Sequence, residues 1–422
     1  MPASGKPFAF IHVGDLHLTE DSAANAADLR AILDQIAAVR PQAAIDFTYL
    51  PGDLAEDGCA EQYAILYEAL DLYPDLPVRL IPGDHDRQHG SIAAFHDLFE
   101  AVAGSPRGGR HGPVLNRLPQ PEDECDVAQY YYAETVAGVR CLFVDMVSAG
   151  FGRKRIGLDF RLGRDQTQWL NKEVVEAAEA GMPCAVFMHA YPDDLREPDD
   201  RLDIAGLFWS GGVRLVEMGH THYNELAHDG RTLYAAARSV GQNEDGSVGY
   251  AVAAIDGPVT SWRFKALDRT WPFVLITSPA DRRVATVPTS PQNSGMERDA
   301  DDRILVRALV LSDQEPKYCH CRIDTGPWTL MTRGAAQVYE AWMPWPEGAR
   351  SLQVEAVDGR WPGHGPDYVD TDVIEPAVPE PEPRRQRPMP DKPGSDDFRL
   401  RAWLGKGVRG DQLGPNRAGR KW

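Results

Sequence analysis

The sequence of 422 residues lacks several features that define particular classes of protein. It contains no apolar run long enough to cross a bilayer, so we expect no membrane segment. Its first residues lack the apolar length and the cleavage site of a secretory signal peptide, and we therefore expect a cytoplasmic location. Its six cysteines are scattered and form no CxxC pair, which predicts free buried thiols and no disulfide framework.

Positive charge is also scarce. The chain has 44 lysines and arginines against 63 aspartates and glutamates, which gives a formal net charge of −19. A large negative charge repels polyanions at long range, and no basic stripe interrupts it, so a nucleic-acid polymer is disfavoured as a partner. The hydrophobic fraction of 43% is that of a globular protein, and a homo-oligomer is compatible with it.

What the sequence does contain, from residue 8 to about 255, is an alternation of strands, turns and helices. Residues 8–13, 45–50 and 78–81 are predicted strands, and helices are predicted between them from apolar residues at helical spacing. A hairpin at residues 130–147, a helix at 166–180 and further short strands follow. This pattern predicts an α/β fold in which two sheets pack face to face with helices outside, a four-layer α/β/β/α sandwich.

The pattern changes near Trp271, and we predict four segments. Residues 1–270 form the first domain. Residues 271–374 have short strand candidates separated by turn residues, which is typical of a small all-β sandwich. Residues 375–397 are rich in proline and charge and form an extended linker. Residues 398–422 form a basic C-terminal tail, whose acidic neighbours would allow it to dock back on the chain.

Potential metal ligands occur in five separate clusters, each directly after a predicted strand. The carboxyl ends of strands in α/β sheets are where ligand sites form, so we expect the clusters to meet in one crevice. Aspartate and histidine suit zinc, iron or manganese, and the number of ligands fits two cations better than one. Because side chains two apart in an extended segment point to the same side, the first and last clusters would each present a pair. The clusters are Asp15-Leu16-His17, Gly52-Asp53, Gly83-Asp84-His85-Asp86, His189 and Gly219-His220-Thr221-His222.

This series resembles the calcineurin-like metallophosphoesterase superfamily, whose motifs are DxH, GD, GNH(D/E), H and GHxH in that order. The resemblance covers about residues 8–265 and makes the first domain a metallophosphoesterase catalytic domain. It implies that Asp15, His17, Asp53 and His222 hold one metal, and that Asp53, Asp84, His189 and His220 hold the second. The expected cofactors are two transition-metal ions, either Mn, Fe or Zn. Asp53 would bridge them, and His85 would contact the substrate as acid or hydrogen-bond donor.

The implied activity is hydrolysis of a phosphoester by a hydroxide that bridges the metals and attacks in line. The site sequence looks most like the branch of cyclic-nucleotide phosphodiesterases and glycerophosphodiesterases, so we expect a phosphodiesterase acting on a small molecule. A nuclease of the same superfamily and a catalytically silent metal-binding scaffold are the alternatives. The β-rich second domain resembles the immunoglobulin-like modules appended to bacterial enzymes.

The sequence departs from the family motif at Asp84, where asparagine is usual. A carboxylate adds a negative charge, so we expect tighter binding of the second metal and a preference for singly charged diesters over doubly charged monoesters. The next acidic residue, Asp86, is either the hydrogen-bond partner of an imidazole or a helix cap.

One further triplet, Cys319-His320-Cys321, offers soft metal ligands. No second pair lies near it in the sequence, so an alternating strand is the favoured interpretation and a metal site the alternative.

Overall fold

The structure is a computed structural model. It describes residues 5–40, 43, 45–87, 92–103, 129–147, 160–195, 203–229, 231–243, 246–282, 284, 291–359, 368–377 and 401–402. The predicted linker beyond residue 377 and the predicted tail, apart from residues 401–402, lie outside these described residues.

The predicted first domain, residues 1–270, contains eleven strands and five helices among its described residues, in the order that the sequence predicts for an α/β fold. The strands are β1 (Phe8–His12), β2 (Phe47–Leu50), β3 (Val78–Leu80), β4 (Tyr132–Val136), β5 (Val139–Phe143), β6 (Cys184–Phe187), β7 (Leu215–Met218), β8 (Glu225–His228), β9 (Leu233–Ala236), β10 (Gly249–Asp256) and β11 (Val259–Ala266). The helices are α1 (Ala24–Val39), α2 (Ala60–Asp71), α3 (Ala93–Ala103), α4 (Arg164–Glu179) and α5 (Ile204–Gly211). The sequence interpretation included neither α3 nor α5.

These strands form two sheets that pack face to face. The first sheet has the order β11-β10-β1-β2-β3. The second has the order β20-β8-β9-β7-β6-β5-β4, in which β20 is the short strand Arg401–Ala402. Aromatic rings from both sheets fill the space between them: Phe47 stacks on Phe10, and Phe187 stacks on Phe143. The apolar side of α1 packs on the outer face of the first sheet, while α4 and α5 cover the second. The predicted four-layer α/β/β/α sandwich is therefore confirmed.

The remaining strands build an all-β region after the first domain. They are β12 (Phe273–Ser278), β13 (Arg303–Leu311), β14 (Pro316–Ile323), β15 (Thr329–Leu330), β16 (Thr332–Arg333), β17 (Val338–Pro344), β18 (Leu352–Asp358) and β19 (Val369–Ile374), with the short helix α6 (Pro291–Ser294). They form two four-stranded antiparallel sheets, β12-β13-β17-β16 and β15-β14-β18-β19, around a separate apolar core. The predicted boundary at residue 271 falls between β11 and β12. The immunoglobulin-like resemblance of this region stays a prediction.

The β-sandwich packs against the outer face of the first sheet beside α1. Phe273 and Leu309 belong to the same apolar cluster as the residues of β1 and β10. Two ion pairs join the sandwich to the first domain. Arg263 of β11 binds Asp370 of β19 with an Nη1–Oδ2 distance of 2.5 Å, and Arg307 of β13 binds Asp256 of β10. Removing the sandwich would therefore expose apolar side chains of the first sheet that it now covers.

The described residues of the predicted linker and of the predicted tail both pair with earlier parts of the chain. Residues 375–377 pack on residues 280–282, and Ala377 donates a backbone hydrogen bond to Ala280. The strand β20 (Arg401–Ala402) pairs antiparallel with β8 at the edge of the second sheet. None of the described helices combines the length and the hydropathy that crossing a membrane would require.

Candidate metal centre

The predicted site residues follow the carboxyl ends of five strands. Strands β1, β2 and β3 run parallel in one sheet, and β6 and β7 run parallel in the other. The ends of the strands therefore meet at one edge of the double sheet. Within two to four residues of those ends the chain presents Asp15, Asp53, Asp84, His189 and His220. All seven residues predicted as ligands come together in this region.

One group of ligand atoms comes from Asp15, His17 and His222, whose donor atoms all lie within 4.8 Å of one another. The Nε2 atoms of His17 and His222 are 3.1 Å apart. The Nε2 atom of His222 lies 4.0 Å from Oδ2 of Asp15. We call Asp15, His17 and His222 the first ligand group.

A second group comes from Asp53, Asp84, His189 and His220, whose donor atoms also lie within 4.8 Å of one another. Oδ1 of Asp84 lies 2.9 Å from Nε2 of His189 and 3.1 Å from Nδ1 of His220. These are the four residues that the family resemblance assigns to the second metal. We call them the second ligand group.

Asp53 joins the two groups. Its Oδ2 atom lies 3.4 Å from Nε2 of His189 in the second group and 3.7 Å from Nε2 of His17 in the first. The carboxylate is buried. One of its oxygen atoms therefore faces donor atoms of both groups, as a bridging ligand would.

His85 lies beside the ligand groups and is partly exposed. Its side chain is 20% exposed, whereas that of His17 is 1% exposed. Its ring meets the ring of His17 edge to face at 4.6 Å, and its backbone N–H donates to Oδ1 of Asp53 at 2.9 Å. The Nδ1 atom lies 2.8 Å from the backbone oxygen of Glu56, which leaves Nε2 for a ligand.

Four of the nine described non-glycine residues with a positive φ lie on these loops. Asp53, His17, His220 and His222 have φ values of 50°, 45°, 65° and 64°, in the left-handed region that residues with a side chain rarely adopt. His17, His220 and His222 therefore do not have the extended backbone that the sequence argument assumed, although Asp15 and His17 do share one ligand group as predicted. These turns also send His220 and His222 to different ligand groups, which an extended segment would not do. Strain of this kind clusters at functional sites.

Gly83 allows the second and third loops to approach each other. A Cβ atom at this position would lie 2.2 Å from Oδ1 of Asp53 and 2.6 Å from Cε1 of His189. Both distances are far below normal van der Waals contact. The glycine is therefore a steric requirement of the ligand arrangement.

The donor atoms at this centre are better suited to binding cations than to forming hydrogen bonds with each other. Oδ1 of Asp15 is buried and has no hydrogen-bond partner in the described structure. Burial raises the pKa of Asp15 to about 7 and lowers that of His222 to about 4, because each charged form has lost water. Donors bound to a transition metal at about 2.0–2.2 Å lie roughly 3 Å from each other, which is close to several of the separations measured here.

Two residues in contact with the site were not identified from the sequence. Glu56 and Gln242 both lie against the Nδ1 atom of His17. Asp86, for which two roles were open, accepts backbone N–H groups of Gly83, Leu54 and Ala55 and the hydroxyl of Tyr63. Its carboxylate ties the second loop to the third and contacts no imidazole among these partners.

A match to a family model shows which protein family the chain belongs to. The model of the calcineurin-like phosphoesterases matches residues 8–224, just over half of the chain. The chain belongs to the calcineurin-like phosphoesterase family. The match spans every ligand-bearing loop described above. Membership supports a metal-dependent phosphoester hydrolase with a dinuclear centre of divalent metals.

Solved structures of phosphatases are similar to this phosphoesterase at low identity. A dimetal phosphatase from Danio rerio is 16% identical with a TM-score of 0.45, and the match covers 62% of this chain and 97% of that one. A purple acid phosphatase from yellow lupin (Lupinus luteus) seeds is 13% identical with a TM-score of 0.42, over 63% of this chain and 52% of that one. Comparison with curated protein sequences finds no match.

Proposed function

We propose that this phosphoesterase is a dinuclear phosphodiesterase that hydrolyses a small-molecule phosphodiester. The observation that carries the proposal is the position of Asp53, whose Oδ2 atom faces histidines of both ligand groups at 3.4 and 3.7 Å. A shared carboxylate is what two adjacent metal ions require. The charge of −19 disfavours a polyanionic polymer, so the substrate is a small molecule.

In this proposal, Asp15, His17, Asp53 and His222 hold one cation, and Asp53, Asp84, His189 and His220 hold the other. When bound, two such cations neutralise charge on the phosphoryl group and activate water as the nucleophile. The residues of the chain fix where each cation can lie, since Asp15, His17, Asp53, Asp84 and His189 are all buried and the partly exposed His220 and His222 complete the two groups.

His85 is the residue that reaches toward the substrate. With Nδ1 directed at the backbone oxygen of Glu56, its Nε2 atom is available on the open side of the centre. Burial lowers its pKa, but the negative charge of Asp53 and the hydrogen bond to the Glu56 backbone outweigh burial, and the net direction is upward. A protonated His85 can donate to the leaving oxygen of the ester.

Asp84 supports a diester as the substrate. Its carboxylate lies in the second ligand group, in contact with both histidines of that group. With Asp15 and Asp53 it makes three carboxylates at the centre. A doubly charged monoester meets more repulsion from this set than a singly charged diester does, so the added charge favours the diester.

The test is a metal-depleted sample reloaded separately with Mn²⁺, Zn²⁺ or Fe²⁺. Hydrolysis of bis(p-nitrophenyl) phosphate and of p-nitrophenyl phosphate is measured for the unsubstituted protein and for Asp84→Asn. We expect metal-dependent turnover with a higher kcat/KM for the diester, and a smaller diester-to-monoester ratio in Asp84→Asn. Absence of turnover with every ion contradicts the hydrolase assignment, whereas a higher kcat/KM for the monoester contradicts only the diester preference.

A further inference from the structure

The two ring nitrogens of His17 face different surroundings. Nε2 points toward the ligand groups, 3.1 Å from Nε2 of His222. Nδ1 lies 2.9 Å from Oε2 of Glu56. A carboxylate can only accept a hydrogen bond, so Nδ1 carries the hydrogen and the neutral imidazole presents the lone pair of Nε2 to the site. A ligand histidine needs this tautomer.

Glu56 is itself held in place by a residue from a distant loop. The Nε2 atom of Gln242 donates to Oε2 of Glu56 at 2.8 Å, so the same carboxylate oxygen accepts from both His17 and Gln242. The Gln242 amide nitrogen also lies 3.3 Å from Nδ1 of His17. The Glu56 side chain is 29% exposed, and without a second contact it would be free to turn toward solvent.

The loop that carries Gln242 is fixed against the first ligand loop. The hydroxyl of Ser239 donates to the backbone oxygen of Asp15 at 2.8 Å and accepts the backbone N–H of Gln242 at 2.9 Å. A Cβ atom on Gly241 would lie 2.2 Å from the backbone oxygen of Leu16 and 2.6 Å from Cβ of His17. The absence of a side chain at Gly241 therefore lets this loop reach His17.

We propose that Glu56 and Gln242 are positioning residues that hold His17 in the tautomer and orientation required to bind a cation. They act through His17 and do not touch the cation or the substrate. The inference rests on the proposed metal centre, and it adds a hydrogen-bonded chain from Gln242 through Glu56 to His17. Partners of this kind orient a metal-binding imidazole and raise its basicity.

The proposal is tested by metal binding and not by activity alone. The metal-free full-length protein is titrated with Mn²⁺ in a calorimeter as the unsubstituted chain and as the variants Glu56→Ala, Glu56→Gln and Gln242→Leu. Glu61→Ala is the matched control, since Glu61 is an exposed carboxylate on α2 and the same single charge is lost. Thermal unfolding of each metal-free variant shows whether the fold is retained.

We expect Glu56→Ala to weaken the binding of one of two Mn²⁺ ions by about 10- to 100-fold, the range that loss of such a partner produces. Gln242→Leu weakens it less, because the carboxylate remains. Glu56→Gln restores most of the affinity, since its amide oxygen still accepts from His17 and its amide nitrogen can donate to a turned Gln242 amide. The Glu61→Ala control binds both ions as the unsubstituted protein does.

The outcomes separate this inference from the proposed function. If the unsubstituted protein binds two ions and a folded Glu56→Ala binds both equally tightly, the inference is wrong and the metal centre stands. If Glu56→Ala does not fold, Gln242→Leu decides, and unchanged affinity in that variant overturns the inference. If the unsubstituted protein binds no divalent cation, the proposed function and this inference both fail.

Discussion

Two regions of the molecule carry short runs of metal-binding residue types, and only one of them builds a ligand group. In the first domain, His17 and His222 lie on loops beyond strand ends and have left-handed backbones. In the β-sandwich, Cys319-His320-Cys321 lies inside the regular strand β14, which pairs residue by residue with β18. The two thiols point into the apolar core, and His320 points outward.

The difference shows that backbone position matters more than spacing. The alternation of β14 places His320 against the ring of Trp328 at 3.9 Å and against Glu355 at 2.8 Å, away from both cysteines. Burial raises the pKa of the Cys319 thiol and raises that of Cys321 to about 12. The imidazole and the two thiols lie on opposite faces of the strand, so the three donors do not converge on one point. The structure thus agrees with the alternating-strand interpretation of this triplet.

The test with the largest expected effect compares the metal content of Asp53→Asn with that of Cys321→Ala. Replacing the carboxylate shared by both ligand groups removes a charged donor from each, and we expect bound metal to fall below two ions per chain and kcat to drop by about a thousandfold or more. Cys321→Ala costs roughly 1–2 kcal/mol of stability through lost packing but leaves metal content unchanged. Metal analysis after dialysis measures both, and equal metal losses would contradict the comparison.

A second test concerns the close approach of the loops. In Gly83→Ala the added methyl group would collide with the Asp53 carboxylate and with His189, so we expect metal affinity to fall by about tenfold or more. Gly181→Ala is the control for the loss of a glycine, since a Cβ atom there meets nothing within 4 Å. Its φ of 63° makes that control somewhat destabilising without touching the ligands. Mn²⁺ titration of both variants separates the two effects, and normal affinity in Gly83→Ala would refute the steric argument.

The ligand residues could be predicted because each follows a recognisable strand and most adjoin a glycine, and parallel strands must end at a common edge. The left-handed turns at His17 and His222 could not be predicted, because no local pattern marks an aspartate or histidine for that conformation. Gln242 and Glu56 were missed for another reason. Their contact with His17 joins segments far apart in the chain, and nothing in either segment marks it.

The same limit applies to the packing of the β-sandwich. The strands of the β-sandwich could be predicted from turn residues and apolar runs. The side chains of β12 and β13 that face the first sheet, however, are as apolar in their spacing as those that face the core of the sandwich. Arg263 and Asp370, which clamp the two regions together, are 107 positions apart and belong to ordinary charged strands. Only the assembled structure shows which faces meet.

The junction of the two regions contains a buried amine that makes a third test, on stability. The Nζ atom of Lys265 lies 4.4 Å from the ring centre of Trp271 and donates to the backbone oxygen of Arg269 at 2.6 Å. Burial lowers the pKa of Lys265 to about 8 from its usual 10.5. Above pH 8 the folded chain therefore holds fewer protons here than the unfolded chain, and the free energy of unfolding rises with pH up to about 10.5.

We expect this contribution to reach about 2 kcal/mol between pH 7.5 and 9.5, and to vanish in Lys265→Met. Urea unfolding of both proteins at the two pH values measures it as the change in their difference. Other groups titrate in this range in both proteins and cancel in the comparison. A constant difference between the two proteins would show that Lys265 stays charged when folded.

The smallest test uses the strain outside the metal centre. Ala137 is exposed in the two-residue turn between β4 and β5 and has a φ of 47°, in the same left-handed region as His17. Ala137→Gly relieves a cost of about 1–2 kcal/mol but gives the unfolded chain more freedom, so we expect a net gain of about 0.5 kcal/mol. Metal affinity should not change, because the turn contributes no ligand. A loss of stability in urea unfolding would mean that the left-handed conformation of Ala137 costs little free energy. The left-handed φ values of His17 and His222 would then not show that the metal loops are more strained than the regular strand β14.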